Sequence, residues 1–136
     1  SFYAQSPVDD RYKCREEVFD RESGRKDIVI ERLSCEKDER FCVVVENKIG
    51  AGEQEGQLRR YREYLEKIPA LSERKLLVYL HAKGVGHKPQ SGSGIRFTIL
   101  RYQEHICGML EMCLAHVKSR KVCDLLSQYL DVVRSL

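Results

Sequence analysis

The chain has 136 residues, 42% hydrophobic and 33% charged, with a formal net charge of +3. That suits one globular domain with a real core, and the small positive surplus permits nucleic-acid binding without arguing for it. No run approaches the roughly 18 apolar residues of a membrane helix, and SFYAQSPVDDRYK lacks the basic-then-apolar pattern of a secretory leader.

Residues 11–18 (RYKCREEV) read as a first strand, followed by a turn at Ser23-Gly24. Residues 25–33 (RKDIVIERL) read as a second strand, with Ile28 and Ile30 on one side and Asp27, Val29 and Glu31 on the other. A charged hairpin loop leads into 41–48 (FCVVVENK), the strongest strand, whose continuous apolar run suits burial on both faces. Gly50 and Gly52 break it. Leu58, Tyr61, Leu65 and Ile68 recur at helical spacing, which predicts a helix over 53–67 that Pro69 stops. Another apolar strand covers 75–81 (KLLVYLH), a flexible loop 83–94, and a short strand 95–100. Gly84 and Gly86 make no dinucleotide site, because no helix follows closely. Two amphipathic helices end the chain. The stripe of 101–117 is Tyr102, Ile106, Leu110, Cys113, Leu114 and Val117; that of 119–135 is Val122, Leu125, Leu126, Tyr129, Leu130 and Val133. The order predicts an α/β fold, a central mixed β-sheet flanked by helices.

Chemistry concentrates at the end of the third strand. Glu46 and Lys48 are two apart, so both side chains leave the same face. Burying either charge alone is costly, so an apolar strand ending in Glu-Asn-Lys implies water, a partner or a ligand there. Hairpin pairing of the second and third strands would set Asp27 beside Glu46. Two adjacent carboxylates repel, and a divalent cation relieves the repulsion. Lys48 could then orient the attacking water and neutralise charge on a phosphate. Read bare, D…ExK is short and common, and more often a surface hairpin with a cross-strand ion pair worth about 0–1 kcal/mol. Gln57 and Tyr61, four apart, share a face of the next helix, and the short connection IGAGEQEG can bring that face near Lys48.

Taken together, GRKDIVIE, VVVENKIGAGEQEGQLRRY, LLVYL and FTILRYQEHICGMLEMC resemble the PD-(D/E)XK nuclease superfamily, most closely its branch with ENK followed by a QxxxY helix. The resemblance runs over residues 12–136 and implies a restriction-endonuclease-like core in a single domain, 1–136. It implies that Asp27 and Glu46 bind Mg2+ or Mn2+, that Lys48 completes the (D/E)XK pair, and that Gln57 and Tyr61 position the lysine, water or DNA. An upstream acidic residue often joins such a metal site, and Glu17 is better placed than Glu16. The family usually carries an N-terminal helix before the first strand, often with a further glutamate. This sequence has only about ten residues there, so the expectation is a domain lacking that helix, with catalysis by the isolated chain open to doubt.

Arg59, Arg60 and Arg62 on the same helix are candidates for phosphate contacts, or else a solvated helix face. His81 and His87 have no ligand-spaced partner and read as surface histidines. Lys118, Arg120 and Lys121 read as a polar junction between helices. None of the six cysteines (Cys14, Cys35, Cys42, Cys107, Cys113 and Cys123) forms a CxxC pair, which disfavours a zinc ribbon. Their spacing does not fit an iron–sulfur cluster well. They read as buried, reduced thiols of a cytoplasmic protein. The functional expectation is therefore a divalent-metal-dependent nuclease acting on nucleic acid, DNA favoured, without membrane association; a homodimer is compatible with it. One rival is a non-catalytic nucleic-acid-binding domain on the same fold; the other is a protein-interaction domain, which an apolar stripe left exposed on 119–135 would favour.

Overall fold

The computed structural model describes residues 12–34, 36–50 and 52–136. Among them five strands, β1 (Tyr12–Asp20), β2 (Gly24–Arg32), β3 (Phe41–Lys48), β4 (Lys75–His81) and β5 (Thr98–Arg101), form one mixed sheet in sequence order. β1, β2 and β3 pair antiparallel; β3, β4 and β5 pair parallel. A parallel pair needs a long crossover, and helix α1 (Gln57–Glu66) supplies it between β3 and β4. Helices α2 (Cys107–His116) and α3 (Arg120–Arg134) follow β5. The fold is α/β, as expected, with a mixed sheet flanked by helices. The expectation of a missing N-terminal helix concerns residues outside those described.

Strand periodicity sorts the core into two layers. Val29, Cys42, Val44, Leu77 and Tyr79 meet Leu58, Tyr61 and Leu65 of α1. Val78 and Leu80 meet Tyr102, Cys107 and Leu110 with Leu130 and Val133 of α3. Burying each such side chain contributes about 1.5–3 kcal/mol. Adjacent residues of β4 therefore serve opposite layers, and that strand is enclosed along most of its length. β1, an edge strand, is mostly exposed.

The β1–β2 turn is tied down by charge. Asp20 Oδ1 accepts the N–H groups of Glu22 at 2.7 Å and Ser23 at 3.2 Å. The fully buried Lys26 donates to Ser23 Oγ at 2.5 Å and to the Gly24 carbonyl at 3.1 Å, with its ammonium 4.2 Å from the Tyr64 ring centre. Burial pulls the Lys26 pKa down, against the opposing charge of Asp20. The turn is thereby held against α1.

Several expectations are corrected. Helix α1 starts at Gln57, not 53, because Gly56 lies at φ 69°, a left-handed conformation that cannot continue a helix backward. The helix expected over 101–117 opens as a π-helical turn, Tyr102–Ile106. Its wider turn rotates the face that follows, so Cys107 and Leu110 point inward while Cys113, expected in the core, is exposed. Cys14 is exposed too, on the edge strand. The α3 stripe is covered on part of its face: Leu130 and Val133 are buried and Leu126 packs half-buried against the same core, whereas Leu125 and Tyr129 are exposed. The last strand begins at Thr98 rather than 95.

The layering sets a stability contrast. Leu65→Ala, under β3 and β4, should cost about 2–5 kcal/mol. Leu125→Ala, on the uncovered part of α3, should stay within about 0.5 kcal/mol of wild type. Urea unfolding of both variants measures the difference.

Candidate active site

Cα pairing between β2 and β3 runs from Arg32–Phe41 to Ile28–Val45. Asp27 and Glu46 are the next residues along each strand. There Asp27 Oδ2 accepts the backbone N–H of Asn47 at 2.8 Å, so a carboxylate takes a main-chain donor of β3. Asn47 itself turns to the other layer, where its Oδ1 accepts the Tyr102 hydroxyl proton at 2.7 Å. The middle residue of Glu-Asn-Lys thus ties the strand end to the helical layer, a role its alternation in the strand could have disclosed.

Glu46 and Lys48 leave the α1 side of β3, both buried, with Lys48 Nζ 2.7 Å from Glu46 Oε1. Lys48 also donates to the Gly52 carbonyl at 3.3 Å. The other carboxylate oxygen of Glu46, Oε2, is buried without a hydrogen-bond partner. Burial raises the Glu46 pKa and Asp27 adds to it, while Lys48 and Tyr61 oppose.

Helix α1 forms the facing wall. Gln57 Nε2 donates to the Tyr61 hydroxyl at 2.8 Å, and that hydroxyl donates to the Arg25 carbonyl. Burial pushes the phenol up to about 12, so it stays protonated and remains a donor. Asp27, Glu46, Asn47, Lys48, Gln57 and Tyr61 border one cavity of about 260 Å³, with Arg25 and Arg60 also on its lining.

The remaining candidates separate. Glu17, expected as a third metal ligand, does not line the cavity: it stands on the exposed edge strand at φ 50° with its carboxylate 3.5 Å from Arg25 Nη1. Strand pairing skips it, passing from Glu16–Ile28 to Val18–Lys26. Of the three arginines, Arg60 borders the cavity and donates to the Glu55 carbonyl at 3.0 Å, and Arg59 is exposed outside it. Arg62 is turned to the Arg96 carbonyl, at 3.1 Å from Nε, and to Glu66. His81 is buried, not a surface residue, because β4 carries it beside Lys48 in register; its ring centre lies 4.9 Å from that of His87.

The fit to a cation can be judged from the donors. Among the described residues no three His, Cys, Asp or Glu side chains come together as a metal-binding group. The cavity offers two carboxylates, one with a buried, unsatisfied oxygen. That set fits Mg2+, which binds through one or two carboxylates and completes its shell with water and phosphate oxygens. It does not suit zinc, which prefers thiolate and imidazole.

The raised Glu46 pKa has a sign that can be tested. Below its ordinary value of 4.5 the group is neutral in both folded and unfolded chains. As pH climbs from there through the raised folded value, the folded state loses stability. Metal-free Glu46→Gln should therefore melt higher than wild type at pH 7, and the gap should close below pH 4.5. Melting curves across that range decide it; a less stable variant at pH 7 would mean that the pair with Lys48 dominates.

Comparison with curated proteins found no match, and comparison with solved structures found none. The sequence does match a family model over residues 7–131, a span that includes both strands of the carboxylate pair, the helix of Gln57 and Tyr61, and most of α3. The chain belongs to the PD-(D/E)XK nuclease superfamily.

Proposed function

We propose that the protein hydrolyses phosphodiester bonds in nucleic acid, with DNA as the favoured substrate and Mg2+ or Mn2+ as cofactor. The observation that carries this reading is the unpaired, buried Glu46 Oε2 in the same polar cavity as Asp27 and Lys48. Leaving a buried carboxylate oxygen unsatisfied costs free energy that a bound cation would recover.

In this reading Asp27 and Glu46 hold the cation. When bound, it polarises a phosphoryl oxygen and lowers the pKa of water. Lys48, tethered by Glu46 and the Gly52 carbonyl, points its remaining donor capacity at the water and at charge developing on the phosphate. The chain from Gln57 through Tyr61 to the Arg25 carbonyl keeps the opposite wall rigid. Arg25 and Arg60 supply positive charge at the lining for flanking phosphates, with Arg59 farther out. Arg62 serves the fold instead. The setting we infer is the cytoplasm, where free thiols such as those of Cys42 and Cys107 stay reduced.

A second reading has its own support. Met109, Met112, Leu125, Tyr129 and Val132 are exposed on α2 and α3. Such a surface favours protein contact. It belongs to the helical layer across the sheet from α1 and so is compatible with catalysis.

The test compares wild type, Glu46→Gln and Lys48→Ala on plasmid and on linear single- and double-stranded DNA, with Mg2+ or Mn2+ and with chelator. Glu46→Gln should abolish cleavage while keeping the fold. Lys48→Ala should retain cation binding by calorimetry and lose about 10²–10³ in turnover, the scale of one removed charge-stabilising donor. Wild type that neither binds the cation nor cleaves any of these substrates would leave only a buried ion pair.

A further inference from the structure

The connection from β3 to α1 contains Gly50, at φ 72°, and Gly52, two residues with no side chain to restrict their own backbone. Yet the Gly52 carbonyl is one of two groups holding the Lys48 ammonium. The next side chain, Glu53, reaches out of this segment. Its Oε2 accepts the backbone N–H groups of Gln90 at 2.7 Å and Ser91 at 3.1 Å, at the start of a short 3-10 turn in the β4–β5 loop. Its Oε1 accepts the Tyr79 hydroxyl proton at 3.4 Å. That hydroxyl also lies 3.4 Å from His87 Nε2 in the same loop. Tyr79 is the register partner of Glu46, and His81 that of Lys48.

One carboxylate therefore joins the glycine-bearing connection, strand β4 and the β4–β5 loop. The geometry points to Glu53 as a positioning residue for the site: by latching the connection to Tyr79, Gln90 and Ser91, it holds the Gly52 carbonyl against Lys48. With that carbonyl in place, the ammonium is shared between Gly52 and Glu46. Without it, the ammonium keeps only its Glu46 partner and its place in the cavity is less fixed. The loop that Glu53 grips leaves β4 at the same end as Lys48 leaves β3 and carries Lys83, His87 and Lys88. A strand of nucleic acid touching that loop would thus act on the lysine through Glu53. This inference rests on the reading of Lys48 as the residue that handles water and phosphate.

The experiment follows Lys48 directly as well as through turnover. Lysine side-chain NMR resonances, amide hydrogen exchange and steady-state cleavage are measured for wild type, Glu53→Ala, Glu53→Gln and Tyr79→Phe. In Glu53→Ala the Gln90 and Ser91 amides should lose protection and the Lys48 Cε and Nζ resonances should move. Turnover should fall about tenfold or more with KM nearly unchanged, the mark of a displaced catalytic group. Glu53→Gln keeps one acceptor oxygen and should recover part of each effect. Faster exchange at Gln90 and Ser91 with Lys48 resonances and turnover unmoved would overturn the proposal, leaving Glu53 a loop anchor. If Glu53→Ala fails to fold, Glu53→Gln and Tyr79→Phe carry the same comparison, and unmoved Lys48 resonances in both overturn it. If wild type neither binds the cation nor cleaves, the nuclease reading fails, and the Lys48 resonances alone decide whether the latch exists.

Discussion

A carboxylate taken out of water must be surrounded by groups that tolerate its charge, and Glu46 is such a group at the end of β3. One of its oxygens is met by Lys48; the other meets no partner. Much of the nearby architecture bears on that arrangement. Asp27 spends an oxygen on the Asn47 N–H. Gly52 shares the lysine, and Tyr61 is turned toward the strand by Gln57 and Arg25. An interior held together only by hydrophobic packing would have little use for this polar cluster.

The sheet supplies the precision. Antiparallel pairing of β2 with β3 sets Asp27 near Glu46, and parallel pairing of β3 with β4 sets Tyr79 and His81 beside Glu46 and Lys48. Groups on strands are held more rigidly than groups on loops. The loops contribute tethers instead: the Gly52 carbonyl, the Glu53 carboxylate, and the turn tied down by Asp20 and Lys26.

What was legible in the sequence was what depends on short periods. Two-residue alternation placed Glu46 and Lys48 on one face, and four-residue spacing paired Gln57 with Tyr61. The order of elements along the chain follows from the same patterns, and the mixed sheet from that order. What stayed hidden depends on backbone conformation or on distant partners. The positive φ of Gly56 shortened α1, and the π-helical turn after β5 turned Cys113 outward. Arg62 was drawn off by the Arg96 carbonyl, and Glu17 stayed on an exposed edge that strand pairing skips. The partners of Glu53 lie at Gln90 and Ser91, far along the chain, and no local pattern announces them.

Every residue bordering the cavity falls between Ser23 and Tyr61, and the sheet is laid down in the order of the sequence. Chains are made from the N-terminus, and the ribosome adds about 5–20 residues each second. The cavity walls therefore emerge before β4, β5 and the last two helices exist. During that interval the carboxylate pair stands on a sheet whose second layer is still missing, and the apolar side chains of β3 meant for that layer face water. A nascent chain at that stage presents its acidic groups together with an apolar sheet face, the kind of transiently exposed surface through which unfinished chains aggregate.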